Sequence, residues 1–182
     1  MIEISTPMKV HDKEFEVFIN YQDILDNIKS MAYQINEDYQ GRSPLFIGVL
    51  NGVFMFAADL MKEITVPSEI SFIKLASYQD LASTGQVKEL IGLKEDLSGK
   101  DVIIMEDIVD TGETMHHLWQ QLKALEPRSV EIATLLLKVD VFKKDIPLKY
   151  VGFKIPEKFV IGYGLDYNGH GRNLKDIYQI KE

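Results

Sequence analysis

One stretch constrains this chain more than any other: Val102-Ile103-Ile104-Met105-Glu106-Asp107-Ile108-Val109-Asp110-Thr111-Gly112-Glu113-Thr114-Met115. Val102 to Met105 is a continuous apolar run, rich in β-branched residues, and reads as a strand buried on both faces. It ends at two adjacent carboxylates, Glu106 and Asp107. After a short turn, Asp110-Thr111-Gly112 opens a helix. Asp and Thr are good helix N-caps, and Gly112 lets the backbone come close to a ligand. The free N–H groups at a helix start form an anion site, to which the Thr111 and Thr114 hydroxyls add donors. A phosphate is the natural guest. Carboxylates beside a phosphate would repel it unless ribose hydroxyls or Mg²⁺ intervene, and both of these suit hard oxygen ligands. A bare Asp-Thr-Gly is an ordinary capped turn. The full string from strand to helix asks for more, and its spacing fits neither the Walker A nor the G-x-G-x-x-G pattern.

The rest of the chain supplies a frame for that loop. Ile24, Ile28, Met31 and Ile35 recur at helical spacing and predict an amphipathic helix over about residues 21 to 39. Gly41-Arg42-Ser43-Pro44 breaks it. Leu45 to Leu50 reads as a buried strand, and Val53, Phe56, Ala57, Leu60 and Ile64 as the next helical face. Ile70 to Leu75 is a further strand. Tyr78 to Val87 is polar, glycine-bearing and without period, so it reads as a long loop. Met115, Leu118, Trp119, Leu122 and Leu125 mark another helix, followed by strands at Val130 to Leu137, Tyr150 to Phe153 and Phe159 to Tyr163. Such alternation predicts an α/β fold: one mostly parallel, twisted sheet with helices on both faces. In an open sheet of this kind ligands sit at the carboxyl ends of the strands, where the carboxylate loop lies. The late strands lie closer together, which suits a small hood over that end.

Composition narrows the function classes. The 182 residues suit one domain with a real core. There are no cysteines, which excludes a disulfide scaffold and a thiol nucleophile. The N-terminus lacks the apolar stretch of a signal peptide, and no apolar run approaches the roughly 18 residues that span a bilayer. These features read as a cytoplasmic protein. The net charge of −8 argues against a general nucleic-acid surface but leaves room for a locally positive nucleotide pocket. Tyr163, Tyr167, His116, His117 and His170 offer no transition-metal cluster and read as surface or interface positions.

Met105 to Thr114 resembles the phosphoribosyl pyrophosphate (PRPP) motif of the type I phosphoribosyltransferases. Leu50-Asn51-Gly52 resembles the pyrophosphate loop of their hypoxanthine-guanine branch. Ser77-Tyr78 and Ser83-Thr84-Gly85 resemble its lid. Leu137-Lys138 and Val151 to Tyr167 resemble its purine-binding half, and Arg172-Asn173-Leu174 sits where the family has an arginine. The resemblance covers roughly residues 10 to 180. It implies the type I phosphoribosyltransferase fold in one domain, with a hood drawn from the N-terminal segment and roughly residues 150–182. It also implies purine salvage: transfer of 5-phosphoribosyl from PRPP to hypoxanthine or guanine, with Mg²⁺, giving IMP or GMP and pyrophosphate.

The resemblance carries roles to particular residues. Glu106 and Asp107 hold the ribose hydroxyls, directly or through Mg²⁺. Asp110 is the general base for the purine N7 proton, and an N-cap at another stage. Thr111, Gly112, Glu113 and Thr114 cradle the 5′-phosphate. Leu50, Asn51, Gly52 and Arg172 bind pyrophosphate, with a strained or cis peptide at Leu50-Asn51. Lys138 meets the 6-oxo group, Phe159 stacks on the purine, and Val160 offers backbone groups to its edge. Asp166 reaches a second Mg²⁺ through water or presents its carbonyl to a guanine amino group. Ser77 and Tyr78 close over the site. A homodimer or homotetramer is also implied. Two positions depart from the pattern: Asn51 and Val139 stand where relatives carry basic residues. A xanthine-preferring enzyme and a non-catalytic sensor of PRPP or nucleotides remain as alternatives.

Overall fold

The computed structural model describes residues 8–75 and 92–181. Its elements run β1 (Met8–Val10), β2 (Lys13–Ile19), α1 (Tyr21–Asp38), β3 (Leu45–Leu50), α2 (Phe54–Glu63), β4 (Glu69–Lys74), β5 (Asp101–Val109), α3 (Glu113–Lys123), β6 (Ser129–Lys138), β7 (Leu148–Ile155), β8 (Val160–Ile161) and β9 (Ile177–Ile180).

Five strands form a parallel sheet in the order β4-β3-β5-β6-β7. Their alternation sorts side chains to two cores. Phe46, Ile103 and Met105 face α1 and α2, against Ile28, Ile35, Phe56 and Leu60. Leu45, Ile47, Val102 and Ile104 face α3, against Met115, Leu118 and Leu122. Both faces are therefore covered, as the strand-helix alternation predicts. The chain passes from β3 outward to β4, then returns to the other side of β3 with β5. Crevices for ligands form where strand order reverses in this way. That reversal sits between the loop after β3, holding Asn51 and Gly52, and the loop after β5, holding Asp110 to Thr114.

The other four strands form an antiparallel sheet in the order β1-β2-β9-β8. It joins the first and last parts of the chain. β7 belongs to the parallel sheet, so the second sheet takes its C-terminal strands from Val160 onward and not from residue 150. The strand expected over Phe159 to Tyr163 is only two residues long. Gly162, Tyr163 and Gly164 all take positive φ, which ends the extended backbone. Asn20 caps α1 by accepting from the Asp23 N–H at 3.0 Å, and Asp176 accepts from the Tyr21 N–H at 2.7 Å, tying the second sheet to the start of the helix.

Three expectations about packing change. Leu125 lies beyond α3 and is exposed, because the helix ends at Lys123 and Glu126 turns to positive φ. Tyr163 is fully buried, and its hydroxyl donates to Asp59 at 2.7 Å, so it is a core residue. His116 is part-buried, with Nδ1 lacking a partner among the described residues. Among the described residues no helix is long and apolar enough to cross a membrane.

Candidate active site

The carboxylate pair lies inside a strand, not after one. β5 continues through Glu106 and Asp107 to Val109, because Glu106, Ile108 and Val109 still pair with Thr134, Leu136 and Leu137 of β6. The two-residue alternation slips across the pair: Met105 and Ile108 both pack toward α1 and α2, while Val109 turns to the α3 side. The two carboxyls lie close together. Burial, reinforced by the Asp107 carboxylate, pushes the Glu106 carboxyl well above its usual range. Asp107 is 9% exposed, and its Oδ1 accepts from the Ile108 N–H at 3.0 Å.

Beyond Val109 the chain turns through Asp110 and Thr111 to Gly112, whose φ of 85° favours glycine. Gly112, and neither Asp110 nor Thr111, is the N-cap of α3, and no side chain caps the helix. The N-cap role expected of Asp110 is therefore not taken up. The Glu113 N–H donates to Thr111 Oγ1 at 3.4 Å, and the N–H groups that follow it at this helix start are left for a ligand. Glu106, Ile108, Asp110, Thr111, Gly112, Glu113 and Thr114 line a cavity of about 110 Å³ here. The Glu113 side chain is drawn toward Lys144 at 2.6 Å, with His117 at 3.9 Å; Lys144 holds its carboxyl below the usual range. Only its backbone is thus offered to the cradle. Phe142 lies against Gly112, where a Cβ would come within 2.8 Å of the ring, and the Lys143 N–H donates to the Thr111 carbonyl at 3.3 Å. The turn after β6 thereby braces the loop.

Parallel register brings the second functional pair together. Val109 pairs with Leu137, so Asp110 and Lys138 leave neighbouring strands side by side. Lys138 Nζ donates to Asp110 Oδ2 at 2.8 Å; the lysine is mostly buried and the aspartate half-exposed.

A chain of close backbone approaches links the remaining residues. Leu50-Asn51 is a cis peptide. Gly52 is buried against Asp107: a Cβ there would overlap Oδ2 and lie 2.6 Å from Cγ. Gly164 in turn packs on Gly52, where a Cβ would overlap the Gly52 carbonyl oxygen and stand 3.0 Å from its carbon. Arg172 donates to the Gly164 carbonyl at 2.7 Å and pairs with Asp166 at 2.6 Å; Asp166 also accepts from the Gly169 N–H at 2.6 Å. Asp166 is thus held by Arg172, apart from the Glu106–Asp107 pair, and among the described residues no group of three potential metal ligands is assembled. Phe159 is 44% exposed and Val160 is buried in β8. An exposed Phe159 is no core residue, leaving its ring open to a ligand. Ser77 and Tyr78, with Ser83-Thr84-Gly85, lie outside the described residues.

Three contributors carry no clear sequence signal. Ile108 looks like spacer between carboxylates, yet it lines the cavity. Phe142 and Lys144 lie in an irregular stretch with no motif. Their only signal is an aromatic residue and a basic pair soon after Lys138.

Known proteins of similar sequence and fold identify the family. The family model described as phosphoribosyl transferase domain matches residues 19–168. The chain is 43% identical over 168 residues to a hypoxanthine phosphoribosyltransferase of Salmonella typhimurium, across 91% of this chain and 94% of the relative. A hypoxanthine-guanine phosphoribosyltransferase structure from Bacillus anthracis superposes with a TM-score of 0.82 at 37% identity, covering 91% of this chain and 98% of that one. A hypoxanthine phosphoribosyl transferase structure from Trypanosoma cruzi superposes at 0.85 with 34% identity, covering 96% and 95%. With the matched family spanning most of its length and relatives this similar end to end, the chain belongs to the phosphoribosyltransferase family.

Proposed function

We propose that this protein transfers the 5-phosphoribosyl group of PRPP to hypoxanthine or guanine, with Mg²⁺, giving IMP or GMP and pyrophosphate in cytoplasmic purine salvage. The observation that carries the reading is the Asp110–Lys138 contact at 2.8 Å beside the phosphate cavity. A 6-oxopurine shows its 6-oxo oxygen and N7 as neighbours on one edge. An ammonium and a carboxylate side by side match that edge: Lys138 donates to the oxygen while Asp110 takes the N7 proton. Adenine presents an amino donor at the same place, which would leave the mostly buried Lys138 facing another donor.

The chain's other groups complete the site. The Thr111–Thr114 backbone holds the 5′-phosphate. Glu106 and Asp107 face the ribose, where their charge favours a cationic anomeric carbon over the neutral ground state. Arg172, together with the Leu50–Gly52 backbone, takes the pyrophosphate; Asn51 adds hydrogen bonds without charge. Phe159 stacks on the base, Val160 offers its backbone, and Ser77 and Tyr78 cover the site against water. Burial first, and then the neighbouring Asp107 carboxyl, raises the Glu106 carboxyl, and a divalent cation would offset both effects, so Glu106 and Asp107 would hold Mg²⁺, with Asp166 on a second ion through water. An ion held there would supply positive charge to offset that of the departing pyrophosphate. A homodimer or homotetramer belongs to the same reading.

The test is a spectrophotometric assay with PRPP, Mg²⁺ and each of hypoxanthine, guanine, xanthine and adenine, beside Asp110→Ala and Lys138→Gln. The 6-oxopurines should turn over and adenine should not. Asp110→Ala should lose about 10²- to 10⁴-fold in kcat. Lys138→Gln should narrow the gap between 6-oxopurines and adenine. Preferred turnover of xanthine would reassign the substrate. PRPP binding without turnover of any base would replace the enzyme with a sensor.

A further inference from the structure

Resting on the reading that Phe159 stacks on the purine, we infer that Tyr167, anchored by Asp12 in the turn between β1 and β2, positions that ring for the base. An exposed phenylalanine needs a reason to hold one orientation. The backbone of Phe159 is fixed, since its carbonyl accepts from the Ile180 N–H at 3.0 Å and β8 begins at the next residue. Its ring, however, is 44% exposed, and backbone bonds do not set a side-chain torsion. Two rings do. Tyr167 meets Phe159 edge to face, with centroids 5.6 Å apart and planes at 84°. Phe15, fully buried in β2, lies 6.3 Å from both Phe159 and Tyr167. The T-shaped contact is a favoured aromatic geometry, and it uses one side of Phe159 while the exposed remainder stays free for a ligand.

Tyr167 is itself held from a distant part of the chain. Its hydroxyl donates to Asp12 Oδ1 at 2.8 Å. The His11 ring stands edge-on to it at 5.7 Å, and the Lys13 ammonium lies 5.7 Å over its face. Its backbone is pinned by paired bonds with His170 at 2.8 and 3.0 Å. The turn His11-Asp12 therefore acts on the active site although it carries none of the groups assigned to substrate. Tyr167 is a positioning residue here, acting through Phe159.

The experiment compares steady-state KM for the base, KM for PRPP, kcat and melting temperature across variants. Tyr167→Ala should raise the KM for hypoxanthine about three- to tenfold, the range of one aromatic pair, with KM for PRPP and kcat within about twofold. Tyr167→Phe keeps the ring and loses the Asp12 bond; it should raise that KM about twofold. Asp12→Ala should match Tyr167→Phe and add nothing to it. Phe159→Leu should raise the base KM further, and adding Tyr167→Ala to it should change little, because the ring to be positioned is gone. If the two effects multiply, or if Tyr167→Ala shifts both KM values and the melting temperature alike, Tyr167 is only structural and the inference fails. Should Tyr167→Ala not fold, Tyr167→Phe and Asp12→Ala decide the matter by the same split. A Phe159→Leu protein with unchanged base KM removes the stacking itself, and the inference with it. A responsive Phe159 beside a silent Tyr167 removes the inference alone.

Discussion

Gly52→Ala isolates one contact with unusual clarity. Gly52 is buried, and its φ is not in the left-handed region, so an alanine meets no backbone penalty there. What it meets is Asp107. The added methyl would overlap Oδ2 and stand 2.6 Å from Cγ, well inside ordinary contact. Asp107 is short and 9% exposed, so it cannot swing clear as a lysine would; the carboxyl or the whole loop must move by roughly 1 Å or more to restore ordinary van der Waals separation. Overpacking of this kind costs about 1–3 kcal/mol. For a chain of this size that lowers the melting temperature by roughly 2–12 °C. The loss of activity should be larger, because a displacement of about 1 Å in a positioned group costs on the order of 100-fold. The assay pairs melting temperature with kcat/KM for wild type, Gly52→Ala, Asp107→Gly and the double variant. Removing the Asp107 carboxyl empties the space the methyl needs. Gly52→Ala should then cost almost no stability in the Asp107→Gly background, although activity stays low. An equal loss of stability in both backgrounds would refute the argument, since the clash would then lie elsewhere.

Other contacts give further outcomes. Lys144→Ala frees Glu113 to face the phosphate cradle, so KM for PRPP should rise about two- to fivefold with KM for the base unchanged, and Glu113→Gln in the same chain should restore it. Asp101 is buried at the far end of β5, where it accepts from Arg128 at 3.0 Å and Ser129 at 2.8 Å. Asp101→Ala should cost about 1–3 kcal/mol in urea unfolding and leave kcat at room temperature unaltered, since the site lies at the opposite end of the sheet. Glu106 makes the ligand-free protein pH-sensitive. Its folded-state carboxyl is raised, so the native state holds the proton more tightly than the unfolded chain does. The penalty for ionising it is absent below about pH 4.5 and grows until the pH passes the raised value, so stability falls across that window. Glu106→Gln should flatten this fall, and an unchanged slope between the two proteins would show that Glu106 does not cause it.

The parallel sheet is legible in the sequence because its central strands are apolar on both faces and its helices carry full stripes. β5 runs four residues past Met105 for a reason that local pattern does not contain. Glu106 and Asp107 look like loop residues, and only pairing with Thr134, Leu136 and Leu137 keeps them extended. β2 differs: Glu14 and Glu16 alternate with Phe15, Val17 and Ile19 at strand period, and what the local pattern does not contain is the partner, β9, at the other end of the chain. Asp110 and Lys138 are each legible from a motif, but their ion pair follows from the β5–β6 register. Ser77 and Tyr78 lie outside the described residues, so the covering role remains part of the proposal.

The glycines show why motif residues alone do not define this site. Asp107, Gly52, Gly164, Arg172 and Asp166 form one continuous series of contacts, from the central strand of the parallel sheet to the segment that follows β8. Gly52 and Gly164 have no side chain, and they are the joints: Gly52 backbone meets the Asp107 carboxyl, and Gly164 backbone meets Gly52 backbone. A carboxylate can be replaced and its charge measured. A joint of this kind offers no functional group, yet any Cβ there separates the groups on either side of it. The placement of Asp107 against the Leu50–Gly52 loop, and of Arg172 beside that loop, is therefore set by the absence of atoms at Gly52 and Gly164. Substitutions at these two positions should be at least as damaging to turnover as loss of Arg172, because each moves two functional groups where the arginine variant removes one.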